Sequence, residues 1–120
     1  MDFDDRLSRA TPAVQALFLL LLNEVVERLG PIEHYPTDTP DYRFAQPDPG
    51  HVVCEIVPML RPGALRLRIR VDEADLPPCT LDLRDVAVAK PGTRWVQVRL
   101  TRGSELAAAI ALIETALRSD

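Results

Sequence analysis

The scarcities of this chain narrow its reading first. Two cysteines in 120 residues, Cys54 and Cys79, are too few for a disulfide scaffold, and neither stands in a paired metal-binding spacing such as C-x-x-C. Free thiols are therefore expected, and the cytoplasm is the expected location. Long hydrophobic runs are missing too: the longest, Ala16 to Leu22, falls far short of the roughly 20 residues that a membrane-crossing helix needs. The N-terminus opens with Asp2, Asp4 and Asp5 before Arg6, which is not the basic start of a secretory leader.

Lysine is almost absent, since Lys90 is the single lysine among 14 basic residues. Nearly every cation is therefore a planar guanidinium fork suited to bidentate pairing with carboxylate or phosphate, although a GC-rich coding bias leaves the same mark. Against 18 acidic residues the net charge is -4, which argues against a general polyanion binder. Nucleic acid is accordingly not favoured as a partner, while a local basic patch stays open. The glycines Gly30, Gly50, Gly63, Gly92 and Gly103 all stand singly, so there is no glycine-rich phosphate loop and a nucleotide-hydrolysing fold is not expected.

Catalytic chemistry is equally thin. His34 and His51 are the only side chains that titrate near neutrality, and neither has a second ligand or a nucleophile motif at useful spacing. Both read as surface histidines. The pairs Asp72 with Asp75 and Asp82 with Asp85 lack the glycine and distal glutamate of a calcium loop, and read as solvated carboxylates. Glu55 is followed by Ile56 and Val57 without a lysine in range, so no nuclease-like constellation forms. No catalytic residue, cofactor or metal ligand is assigned, and the expectation is a protein that is not an enzyme. An enzyme using His51 or Cys79 in a pocket is the third-ranked alternative.

What is present reads as one domain over residues 1–120, with residues 1–10 as a flexible N-terminus; 47% hydrophobic residues suffice for an ordinary core. Thr11 and Pro12 open a helix, which Gly30 and Pro31 stop. Val14, Phe18, Leu21, Leu22, Val25 and Leu29 fall on its core stripe at 3.6-residue spacing. Leu17, Leu19, Leu20 and Val26 are surplus to that stripe and imply a second buried flank, against the other helix or a second copy. Residues 31–40 read as an irregular proline-rich loop. Strands follow at Asp41 to Gln46, His51 to Val57, Leu65 to Val71 and Trp95 to Leu100, the first two forming a hairpin around Pro47 to Gly50. Residues 72–79 read as a polar stretch broken by proline, and 81–88 as a short irregular edge. Leu106, Ala109, Ile110, Ile113 and Leu117 mark a closing helix. The expected fold is α+β, a two-layer sandwich of helix, four-stranded antiparallel meander and helix.

Strict alternation in Leu65 to Val71 puts Leu65, Leu67, Ile69 and Val71 inward and three arginines outward. The outward face then gathers Arg66, Arg68, Arg70, Trp95, Gln97 and Arg99, a candidate site for an anionic ligand or a partner. The plainer reading is a solvated face on which Asp41, Glu55 and Arg43 supply cross-strand ion pairs of roughly 0.2–1 kcal/mol each. Cys54 alternates with Val52 and Ile56 and reads as a small core residue, and Cys79 as the more exposed thiol.

The order of elements and three segments resemble a bacterial family, domain of unknown function 5655, over about residues 13–118. The segments are Leu17 and Phe18 with Leu29 to Pro31; Leu65 to Val71; and Arg84, Asp85 and Val86 leading to Val96 through Thr101, with Leu106, Ile110, Leu112 and Ile113. The resemblance implies a helix, antiparallel sheet and helix arrangement and no activity. Members often carry a glycine- and histidine-rich loop where this chain has Ala87, Val88, Ala89, Lys90, Pro91 and Gly92. The leading expectation is a non-enzymatic binding or accessory module acting through an unidentified protein partner or an anionic ligand. The alternative is a homodimer or other homo-oligomer joined through Leu19, Leu20 and Val26.

Overall fold

The computed structural model describes residues 1–48, 50–71, 78–86 and 94–118. Among the described residues three α-helices, α1 (Phe3–Arg9), α2 (Pro12–Arg28) and α3 (Leu106–Arg118), accompany six strands: β1 (Glu33–Pro36), β2 (Tyr42–Ala45), β3 (Val52–Met59), β4 (Ala64–Val71), β5 (Arg84–Val86) and β6 (Arg94–Leu100). The chain is thus α+β with a six-stranded antiparallel sheet in the order β1-β2-β3-β4-β6-β5.

Local chemistry explains the helices. The Asp2 carboxylate accepts the Asp5 amide at 2.9 Å and caps α1, whose Phe3 is 1% exposed. Residues 1–10, expected to be a flexible lead-in, instead anchor the core: the Phe3 ring lies 4.9 Å from Phe18 and 5.1 Å from Tyr42, centroid to centroid. The Thr11 hydroxyl accepts the Val14 amide at the start of α2, and Gly30 ends the helix region at φ 72°, a conformation that strains any residue with a Cβ. Val14, Leu17, Phe18, Leu21 and Val25 are buried, while Leu22 and Leu29 are only partly so. Leu17 joins the core on the second buried flank expected for this helix, because α2 packs on both β4 and α3. Before α3, the Glu105 carboxylate accepts the Thr101 and Arg102 amides at 2.9 and 3.0 Å.

The sheet has two strands more than the expected four. β1 forms inside the proline-rich segment taken as a loop, pairing Glu33 with Ala45 through Pro36 with Tyr42. β5 forms from the middle of the 81–88 segment. β1 to β4 run as a meander, but β6 is the neighbour of β4 and β5 lies outside it, so the meander breaks before the last hairpin. Both edge strands are short, β1 with four residues and β5 with three.

A register shift between Phe44 and Ala45 inserts one residue into β3: Phe44 opposes Cys54, but Ala45 opposes Val52. Val53 is therefore buried beside Cys54, while Val52 is partly exposed. Strict alternation had placed Val52 inside; the bulge resets the phase.

Leu65, Leu67, Ile69, Val96, Val98, Leu100, Cys54 and Ile56 form the apolar side of the sheet, each at most 2% exposed. Against them α3 packs Ala109, Leu112, Ile113 and Ala116, all fully buried, with small alanines allowing close approach. Leu117 is only partly buried. Among the described residues no helix is long and apolar enough to cross a membrane. Asp72, Asp75 and most of the proline-broken stretch, together with the Ala87 to Gly92 loop, lie outside the described residues.

Candidate functional site

Registration across β3, β4 and β6 brings all six predicted surface residues onto the side of the sheet opposite the helices. Arg66 faces Arg99, Arg68 faces Gln97, and Arg70 faces Trp95. On the other flank Val57 faces Arg66 and Glu55 faces Arg68, while Arg84 of β5 faces Gln97. Arg66, Arg68, Arg70, Trp95 and Gln97 are half-buried and Arg99 is exposed.

The arginines of this face differ in how they are satisfied. Arg68 lies between Glu55 and Gln97, and its Nε donates to Gln97 Oε1 at 3.2 Å. Arg66 has Val57 on one side and a second cation on the other. Its Nε is buried and has no hydrogen-bond partner among the described residues, and the same is true of Arg70 Nη2. Burial holds the Arg66 pKa below the ordinary arginine value; the charges of Arg68, Arg6 and Arg99 push the same way, against Glu55.

Arg6 is a member that no strand periodicity announces. It enters from α1, donating its Nε to the Pro58 carbonyl at 2.6 Å, and Pro58 pairs with Leu65, the neighbour of Arg66. Three cations, Arg6, Arg66 and Arg99, thus share one end of the face. An unsatisfied buried donor costs about 1–3 kcal/mol, and like charges directly opposite each other on neighbouring strands add to that.

Several arginines elsewhere find carboxylates. Arg43 donates to Asp41 at 2.8 Å, Arg94 to Asp85 at 2.9 Å and Arg118 to Glu114 at 2.7 Å. Asp41 and Arg43, expected to supply cross-strand ion pairs, instead pair with each other two residues apart beside the β1–β2 turn. Burial raises the Asp41 pKa, but hydrogen bonds from Thr39, Arg43 and Thr37 outweigh it and hold the carboxyl below its usual value.

Beside the face, a cleft of about 220 Å³ is lined by Leu81, Asp82, Arg84, Gln97, Arg99 and Glu105. Gln97 and Arg99 belong to both, so cleft and face are continuous. The sequence reading missed this cleft because it joins β5, β6 and the turn before α3, and only the sheet order places them together.

The remaining candidates are dispersed. His34 is exposed, its Nδ1 2.7 Å from the Tyr42 hydroxyl, and His51 is exposed at the start of β3. Burial pushes the Cys54 thiol far up from its ordinary value, whereas Cys79 is half-buried and accepts the Leu81 amide at 3.4 Å. Asp82 and Asp85 lie apart in role, Asp82 near Arg84 at 3.8 Å and Asp85 on Arg94. Among the described residues no cluster of three or more His, Cys, Asp or Glu could hold a metal ion. Leu19, Leu20 and Val26 are 54%, 52% and 40% exposed on α2, clear of the core. No family model, curated protein or solved structure matches the chain, so the site is read from its own chemistry.

Proposed function

We propose that this chain is a small binding module, a two-layer sandwich with helices on one side of the sheet and an anion seat on the other, centred on Arg66 and Arg99. One observation carries the reading: Arg66 has a buried Nε without a partner among the described residues and an arginine opposite it, whereas Arg28, Arg43, Arg94 and Arg118 each meet a carboxylate. A bound anion would satisfy the donor and relieve the repulsion together, and arginine forks take oxyanions with two parallel hydrogen bonds. The carboxylate on the face, Glu55, stands opposite Arg68, and among the described residues no histidine or thiol joins it there, so the reading is of binding rather than catalysis.

The arginine side-chain Nε–H resonances of Arg66, Arg68 and Arg99 test it. Inorganic phosphate should shift the Arg66 and Arg99 signals in a saturable way, less so as sodium chloride is raised, and Arg99→Ala should abolish the Arg66 shift. Signals that stay put with phosphate, with an oligodeoxythymidylate and with an acidic peptide would sink the proposal.

A further inference from the structure

The proposed anion seat and the neighbouring cleft together define a ligand shape, and this step rests on the reading of the arginine face as a binding surface. The seat is compact. Arg66 and Arg99 stand directly opposite each other, with Cβ atoms about 4.5–5.5 Å apart as in any such antiparallel pair, and Arg6 approaches from the Pro58 side. That spacing suits one tetrahedral oxyanion held by several forks.

The cleft that continues from Arg99 has a different character. It is lined by the cations Arg84 and Arg99 and by the carboxylates Asp82 and Glu105, the latter already accepting the Thr101 and Arg102 amides, and Leu81 gives it one apolar wall. The oxygen of Gln97 is engaged by Arg68, so its amide nitrogen is left to donate. A second phosphate placed there would lie against two carboxylates, and the seat is further bounded by Glu55 on β3. Hydroxyl groups, by contrast, can donate to Asp82 and accept from Gln97, while a ring face covers Leu81.

We infer that the ligand of this face is a phosphate monoester of a small hydroxylated body, a sugar phosphate or a nucleoside monophosphate, with its phosphate at Arg6, Arg66 and Arg99 and its hydroxylated portion in the cleft beside Asp82 and Gln97. The carboxylate lining disfavours polyphosphates and nucleic acid strands, whose further phosphates would have to cross it. The volume of the cleft accommodates a single ring rather than a chain of them.

Calorimetric titration of the full chain with inorganic phosphate, ribose 5-phosphate, adenosine monophosphate, inorganic triphosphate and an oligodeoxythymidylate tests the inference. Ribose 5-phosphate or adenosine monophosphate should bind about tenfold or more tightly than inorganic phosphate, and the stronger of these two identifies the body. Asp82→Ala, a change at an exposed side chain that removes the acceptor, should bring the affinity for that ligand down toward that of inorganic phosphate. Gln97→Ala is the second variant and should likewise narrow the difference between that ligand and inorganic phosphate. Equal affinities for phosphate and both monoesters, or tighter binding of triphosphate or the oligonucleotide, would overturn the inference while leaving the anion seat standing. Titrations flat for every anion, together with unmoved Arg66 signals, would remove both.

Discussion

The two faces of β4 share one backbone and carry opposite chemistry. On the inner face Leu65, Leu67 and Ile69 are fully buried and Val71 is 5% exposed. On the outer face Arg66, Arg68 and Arg70 alternate with them, each half-buried. Burial of a leucine or isoleucine contributes about 1.5–3 kcal/mol, and every inner residue acts in the same direction. The outer residues offset one another: Arg68 stands between Glu55 and Gln97, while Arg66 and Arg70 hold buried donors without a partner among the described residues. One side of the strand is thereby optimised for folding, and the other retains an energetic conflict that an anion would resolve.

The most direct way to break this contrast is a pair of truncations on adjacent residues. Leu67→Ala should cost about 2–5 kcal/mol of unfolding free energy in urea, through lost burial and the cavity left behind. Arg68→Ala should cost no more than about 1 kcal/mol. Comparable losses would show that the outer face is as structural as the inner one.

A second contrast is between Asp41, the fully engaged carboxylate near the edge of the face, and the unengaged Arg66. Asp41→Ala should cost about 1–3 kcal/mol at pH 7, since it removes the acceptor for Thr37, Thr39 and Arg43. Because the folded-state pKa of Asp41 is lowered, its contribution is fully present above the unfolded value of about 3.9 and is lost as pH falls through the folded value. Urea unfolding at pH 7 and pH 3 should therefore show a smaller acid loss in Asp41→Ala than in the parent protein. An equal loss would assign the acid sensitivity elsewhere.

The smallest effect sharpens the comparison most. Arg66→Met keeps much of the side-chain length and removes both the unpartnered Nε and the charge facing Arg99. Stability should change by less than about 1 kcal/mol, in the stabilising direction, while phosphate no longer moves the Arg99 resonance. Destabilisation beyond that range would make Arg66 a packing residue whose charge is incidental.

The residues differ in how far their places can be read without coordinates. β4 alternates without interruption, so the inner and outer sets were both legible, and Trp95, Gln97 and Arg99 followed from the same period of two on β6. β1 was hidden because Pro31, Pro36 and Pro40 read as loop punctuation, yet Pro36 sits at the end of an edge strand where a missing amide costs little. The inward position of Val53 depended on a bulge, which shifts phase with no compositional trace. Helix α1 is too short for periodicity to reveal, so Phe3 and Arg6 were both missed, one belonging to the core and the other to the candidate site. The cleft escaped for another reason: β5 and β6 are neighbours, but which strand of the pair lies beside β4 is a matter of topology.

Each outer border of the sheet is poorly made for company. At one, Pro36 removes a donor from the end of β1; at the other, the described residues of β5 are Arg84, Asp85 and Val86, the first two exposed and charged. Among the described residues, a strand from another chain would find few amides and carbonyls to zip onto at either border. Lateral growth into fibres or strand-swapped assemblies is thereby discouraged on both flanks.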